Sequence, residues 1–308
     1  MTSHVKHCIV VGVDGSPASD AALDWAAAEA VRRRRRLHLC GVGERELPGG
    51  DAAMYVTEIL ELAETDAVAR AEAALDAAAA RVSERWPGLE FTRESVLGNP
   101  AGVLVEHSAH AESIVLGHRG HGVIVGALLG SVAHQVAAHA SCPVVVVRTS
   151  GAGATAPGTT FQPDPEVLRT GGVVVGVDGS AGSEEAVGYA FDEAAVRGCD
   201  LHVVKAWWTS TAGLSRSLKL DFQNAERLAA SETLVGWADK YPDVTVHVTV
   251  PMAPTVASLV RAGTGAELLV VGNRGLGGFR RLLLGSVSHG VLQHATCPVA
   301  IVRNAESA

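Results

Sequence analysis

The chain has 308 residues, 47% hydrophobic, 19% charged and only 4% aromatic, with a formal charge of −8. That length suits two domains of ordinary size, with cores built from Val, Leu and Ala. The negative charge argues against general nucleic-acid binding, and no apolar run approaches the ~20 residues of a membrane span.

The opening Met-Thr-Ser-His-Val-Lys-His runs directly into a strand-like segment and does not read as a signal peptide. Ile9 to Val13 is a continuous apolar run ending at Asp14-Gly15, as a buried parallel strand should. Ser16 is placed to cap a helix with Pro17 in its first turn. Leu23, Ala26, Ala27, Ala30 and Val31 then mark one buried helical face. A second strand is expected over Leu37 to Val42, a long helix over about Tyr55 to Arg85, and a third strand over Phe91 to Val96. A helix near Ala101 to Ala109 and a strand from Ser113 to Leu116 follow. The series closes with a helix from Val132 and a strand from Val144 to Val147. This alternation predicts an α/β domain with a mostly parallel, doubly covered sheet.

The series occurs twice. Val10-Val-Gly-Val-Asp-Gly-Ser16 returns as Val174-Val-Gly-Val-Asp-Gly-Ser180, and Ser141-Cys-Pro-Val144 returns as Thr296-Cys-Pro-Val299. The offset is 164 (174 − 10) at the front and 155 (296 − 141) at the back, so the second unit lacks nine residues in its middle. The second helical face reads Val187, Ala190, Phe191, Ala194 and Ala195. We place domains at 1–149 and 170–308, with a Gly/Ala/Thr/Pro-rich linker over 150–169. Five cysteines, mostly in apolar runs and without a CxxC, fit buried thiols in a reducing cytoplasm.

The candidate site lies after the fourth strand. Gly117-His-Arg-Gly120, nine residues, then Gly130-Ser131 is matched by Gly272-Asn-Arg-Gly275, nine residues, then Gly285-Ser286. Glycine lets backbone approach a ligand closely. A glycine-rich turn entering a helix aims unpaired N–H groups at an anion. Ser131 and Ser286 can cap those helices or donate to a phosphate oxygen. Ligands in open α/β sheets bind beyond the strand C-termini, where Asp14 and Gly117 meet only if strands one and four are neighbours.

These residues resemble the ATP-binding subgroup of the universal stress protein family, in the tandem arrangement typical of actinobacteria. The family pattern Gly-x2-Gly-x9-Gly-[Ser/Thr] is matched in both copies, as are the Val-Asp-Gly-Ser turn and the closing Cys-Pro-Val strand. The resemblance covers nearly the whole chain except the linker. It implies two tandem Rossmann-like five-stranded parallel sheets with strand order 3-2-1-4-5, and ATP, carried with Mg2+, between strands one and four. By position, Val13, Asp14 and Val42 should meet adenine and ribose. Gly117, His118, Arg119 and Gly120 should follow ribose and phosphates, and Gly130, Ser131 and Val132 should hold the phosphate tail. In the second unit these are Val177, Asp178, Ala206, Gly272, Asn273, Arg274, Gly275, Gly285, Ser286 and Val287, joined by Ser288. The first unit has Ala133 where the second has Ser288, and the second spacer carries Arg280 and Arg281 where the first has no cation. Charge-assisted bonds of about 1.5–3 kcal/mol each would favour ATP at the second site. The resemblance also implies a role in stress adaptation as an ATP-dependent switch, with a downstream partner that the sequence does not name.

Asp14 and Asp178 suit turn formation, since Asp-Gly is a common turn pair. Arg32 to Arg36 suit a helix C-terminus. Among the thirteen histidines, closely spaced pairs such as His118/His121 and His107/His110 have no clearly spaced third ligand. A metal site beyond ATP-linked Mg2+ is therefore not expected. Trp207-Trp208 suits the second adenine site, core packing or the interface between units. The Val144 to Val147 and Val299 to Val302 runs are apolar edge-strand candidates. Their pairing would make an intramolecular pseudo-dimer or a homodimer. The alternatives to a binding module are a slow ATPase, an adenylating ligase or nucleotidyltransferase, or a flavin carrier. Slow ATP hydrolysis stays open; the ligase or transferase lacks a Gly-x4-Gly-Lys-[Ser/Thr], Ser-Gly-Gly-x-Asp-Ser or His-x-Gly-His, and the paired ATP-type motifs disfavour the flavin carrier.

Overall fold

A computed structural model describes residues 5, 7–44, 56–120, 129–149, 171–207, 216–275 and 284–303. The chain divides into two compact units, Met1–Thr149 and Ser150–Ala308. The inter-unit segment 150–170, Trp208, His121 and Arg280–Arg281 lie outside the described residues.

Unit one contains β1 (Ile9–Val13), α1 (Pro17–Arg33), β2 (Leu37–Gly43), α2 (Val56–Arg85) and β3 (Phe91–Leu97). It continues with α3 (Pro100–Ser108), β4 (Ser113–Gly117), α4 (Ser131–His139) and β5 (Val144–Val147). The strands run parallel in the order β3-β2-β1-β4-β5. Unit two repeats this with β6 (Val173–Gly176), α5 (Ala181–Arg197), β7 (Leu201–Val204), α6 (Arg216–Lys240) and β8 (Val246–Thr249). Then come α7 (Thr255–Ala262), β9 (Leu268–Gly272), α8 (Ser286–His294) and β10 (Val299–Val302). Its strand order is β8-β7-β6-β9-β10, again parallel. The 3-2-1-4-5 order is therefore present in each unit.

The central strands read as apolar runs because helices cover both sides. Ile9, Val10 and Val11, like Val173, Val174 and Val175, are 0% exposed. Strand alternation assigns the covers. A Cβ on Gly12 would point at Leu104 of α3, whereas one on Gly41 would meet Leu75 of α2. Cross-strand neighbours share a face, and Gly12 pairs with Cys40, so α2 and α3 lie on opposite faces. The offset locates the nine missing residues. Leu37 and Leu201 begin β2 and β7 164 apart, while Arg85 and Lys240 end α2 and α6 155 apart. The loss falls between strand two and the end of the long helix.

The helix faces differ from expectation in the same place in both copies. Leu23, Ala26, Ala27 and Ala30 are buried, as are Val187, Ala190, Phe191 and Ala194. Val31 and Ala195, however, are exposed. Instead Glu29 (1% exposed) and Glu193 (0%) are buried. Glu29 accepts from Arg32 at 2.7 Å and Arg33 at 2.6 Å, and Glu193 accepts from Arg197 at 3.0 Å. Arg33 and Arg197 also reach Glu112 and Glu267, at 3.7 and 3.3 Å. A buried carboxylate is tolerable when it is paired and hydrogen-bonded. The arginine run therefore ends α1, with Arg34 as its left-handed C-cap at φ 53°.

Candidate nucleotide site

The site forms where β1 and β4 end side by side. Ile9 to Val11 of β1 pair with Ser113 to Val115 of β4, which carries Asp14 and Gly117 to the same edge. Gly15 (φ 79°) and Gly179 (φ 87°) take the left-handed conformation that makes each following turn possible. Asp14 Oδ1 accepts from Ser16 N at 2.9 Å, and Asp178 Oδ1 accepts from Ser180 N at 2.9 Å. Ser16 and Ser180 then cap α1 and α5 by accepting from Ser19 N and Ser183 N. The aspartates are thus turn formers through one oxygen. The other oxygen, Oδ2, lies against Gly120 or Gly275, where an added Cβ would collide with it.

The remaining glycines have equally specific reasons. A Cβ on Gly117 would stand 2.6 Å from the Ala18 carbonyl carbon, and one on Gly272 2.6 Å from the Gly182 carbonyl oxygen. The first motif glycine therefore lets the start of α1 or α5 press against the strand end. Gly130 N donates to His118 O at 2.8 Å, and Gly285 N donates to Asn273 O at 2.7 Å. This brings the two halves of each motif together across the spacer. Gly130 and Gly285 occupy the N-cap position without a side-chain cap hydrogen bond, and Ser131 and Ser286 are the first residues of α4 and α8. The two serines do not cap, contrary to one expectation for them. Both are exposed beside helix N–H groups that can receive an anion.

In unit one these elements surround a cavity of about 750 Å³. Val13, Asp14, Val42, Gly117, Arg119, Gly120, Gly130, Ser131 and Val132 all line it. His118 does not. It is 4% exposed beneath the glycine turn, as Asn273 is at 2%. Burial, aided by the charges of Arg148 and Arg119, pulls the His118 pKa down to about 4, so the ring is neutral at neutral pH. Arg119 Nε and Arg274 Nε have no hydrogen-bond partner among the described residues, which leaves a buried guanidinium donor at each turn. The sequence did not single out Cys40, Glu44, Arg70, Pro100, Leu104 or the α2 alanines Ala67, Ala71 and Ala74, which complete the wall. Gly41 and Gly43 were the available signal. Their missing side chains let α2 sit on β2, with Ala67 O 2.8 Å from the Cβ that Gly43 lacks.

Unit two shows the same frame. Val177 is buried, Asp178, Ala206 and Val287 are half-buried, and Arg274 and Gly275 follow β9. Ser288 departs from its expected role. It is 3% exposed and its hydroxyl donates to Gly272 O at 2.6 Å, so its proton serves the strand end. Trp207 bridges to Met252 and packs near Phe222, 6.1 Å between ring centroids.

Comparison with known proteins agrees with this arrangement. The Universal stress protein family profile matches residues 7–148 and 171–303. Universal stress protein Rv2005c of Mycobacterium tuberculosis is 36% identical over 305 residues, covering 97% of both chains. A universal stress protein of Mycolicibacterium smegmatis is 36% identical over 304 residues, covering 98% of both. A crystal structure of a universal stress protein from Archaeoglobus fulgidus shares the fold, with a TM-score of 0.59 at 20% identity, covering 96% of this chain and 98% of that one. No helix among the described residues is long and apolar enough to cross a membrane. With the family profile matched in both units and relatives similar end to end, this chain belongs to the universal stress protein family.

Proposed function

We propose that the chain is an ATP-binding regulatory protein of the stress response, with one nucleotide site in each unit acting as a ligand-dependent switch in the cytoplasm. The observation that carries this reading is the duplicated facing of Asp14 with Gly120, and of Asp178 with Gly275, beside an uncapped helix N-terminus. Val13 and Val42 offer apolar contact to a base, and Asp14 a carboxylate to ribose hydroxyls. Arg119, Ser131 and the α4 N–H groups offer donors to phosphates. Mg2+ would enter on the triphosphate rather than in a protein cage. The proposal takes domains at 1–149 and 170–308 joined by 150–169. It includes pairing of the apolar edge strands β5 and β10, within one chain or between chains.

Mass spectrometry of nucleotide released from purified, denatured protein tests the reading. Bound ATP, with up to two sites titrated by calorimetry, is the expected result. Release of a flavin, or no nucleotide and no calorimetric ATP binding, overturns it.

A further inference from the structure

Three side chains from three separate elements converge in unit one, away from the glycine turn. They are His38 on β2, Glu94 on β3 and His107 on α3, with ligand atoms all within 4.8 Å of one another. His38 Nε2 lies 3.5 Å and His107 Nε2 3.1 Å from the same atom, Glu94 Oε2. Strand register produces the first half of this arrangement. His38 pairs with Thr92 and Cys40 with Glu94, so all four occupy the α3-facing side of the sheet. The α3 helix then lays His107 over His38, rings stacked 5.5 Å apart at 24°.

The opposite ring nitrogens are held in place. His107 Nδ1 is 2.7 Å from Val103 O, and His38 Nδ1 is 2.8 Å from Thr92 Oγ1. A carbonyl oxygen only accepts, so His107 Nδ1 carries a proton; its Nε2 meets the Glu94 carboxylate, and a metal entering between them would displace the proton of that hydrogen bond. Anchoring the far N–H on a carbonyl or similar acceptor is how metal-binding histidines are oriented. Around a tetrahedral zinc with bonds of about 2.0–2.2 Å, ligand atoms stand roughly 3.3–3.5 Å apart. The two separations from Glu94, 3.1 and 3.5 Å, are close to that spacing, and the two histidine nitrogens lie within 4.8 Å of each other.

We propose that His38, Glu94 and His107 form a binding site for a first-row divalent transition metal, best suited to zinc. Two imidazoles and one carboxylate favour such an ion over Mg2+ or Ca2+, and three protein ligands leave a fourth position open. Thr92 acts as a positioning residue. Glu94 pairs in register with Cys40, which lines the nucleotide cavity, so the two sites are neighbours on one sheet face.

The second unit keeps the first histidine as His202 but not the set. Thr249 and Ala262 stand where Glu94 and His107 would be by the 155 offset. His202 instead gathers with His247 and Asp200, both exposed, where the imidazole–carboxylate contact recurs as His247 Nε2 to Asp200 Oδ2 at 2.9 Å. Neither His202 ring nitrogen has a hydrogen-bond partner among the described residues, so nothing orients that ring for a metal.

Calorimetric titration of chelator-stripped full-length protein with Zn2+ alone, without nucleotide, tests the proposal. One tight site per chain is expected. His107→Gln and Glu94→Gln should weaken it at least about a hundredfold, since losing an outer-shell partner alone costs 10–100-fold; Thr92→Val should fall in that smaller range. His202→Gln should leave the site unchanged. With Co2+, the wild type should show visible d–d absorption that His107→Gln lacks. Thermal unfolding of the metal-free variants establishes that each is folded. Absence of a tight site, or its survival in folded His107→Gln protein, overturns the proposal.

Discussion

Gly120→Ala isolates the Asp14 contact on which the nucleotide reading depends. Gly120 does not have a positive φ, so alanine causes no backbone strain there. The first atom its Cβ meets is Asp14 Oδ2, the end of a side chain rather than backbone. The carboxylate must swing away, while Oδ1 can keep Ser16 N, 2.9 Å away. The fold should therefore change little, and the cost should fall on the bound ligand. A charge-assisted hydrogen bond from a ribose hydroxyl is worth about 1.5–3 kcal/mol, or roughly 10- to 150-fold in Kd. Calorimetry should show one of two ATP sites weakened by that factor in Gly120→Ala, and the other weakened in Gly275→Ala. Asp14→Ala should weaken the first site similarly, and adding Gly120→Ala to it should have almost no further effect. A further tenfold loss in the double variant would refute the reasoning, as would a Gly120→Ala protein that binds ATP at both sites within about twofold of wild type. Gly117→Ala is the poorer probe because its Cβ would press on Ala18 backbone. It should cost about 1–3 kcal/mol of stability whether or not a nucleotide binds.

Three other outcomes follow from the same geometry. His118 has its pKa lowered from 6.5 to about 4, so it favours the folded state above pH 6.5 and loses that contribution as pH falls toward 4. The full effect is about 3 kcal/mol, and urea unfolding of His118→Asn should show a shallower stability loss across that window than wild type. Arg197→Met should lower stability by about 3–5 kcal/mol by removing the guanidinium paired with Glu193, whose side chain is 0% exposed. The effect of Arg33→Met should be smaller, because Arg32 also reaches Glu29; equal losses in chemical denaturation would contradict this. With the Ser288 proton committed to Gly272 O, the proposed affinity advantage of the second site rests on Arg280 and Arg281. Replacing both with alanine should equalise the sites in calorimetry, and an unchanged difference would remove the arginines from the account.

Features set by short-range spacing were readable from the sequence alone. These were β1 with its Asp-Gly-Ser turn, the capped α1 and the glycine motif, each decided by residues a few positions apart. What escaped depends on partners far along the chain. Val31 was expected inside, and Glu29 was not marked for the buried face, because apolar periodicity ranks valine above glutamate. The structure reverses them because Glu29 can be satisfied by Arg33, which also approaches Glu112. The clustering of His38, Glu94 and His107 was hidden for the same reason. Short spacing pairs His107 with His110, while β2–β3 register and α3 packing bring His107 to His38 and Glu94. The duplication contained a usable signal in both cases. Glu29 and Glu193, like His38 and His202, recur at the 164 offset as polar residues within otherwise apolar patterns. A buried polar group must find a partner to be tolerated. Its recurrence in both copies therefore marks a place where a distant side chain, or a ligand, has to arrive. For the glutamates that partner is an arginine in each unit. For the histidines the two units diverge: His38 has Thr92 on one ring nitrogen and Glu94 near the other, whereas His202 stacks on the exposed His247 and has no hydrogen-bond partner among the described residues.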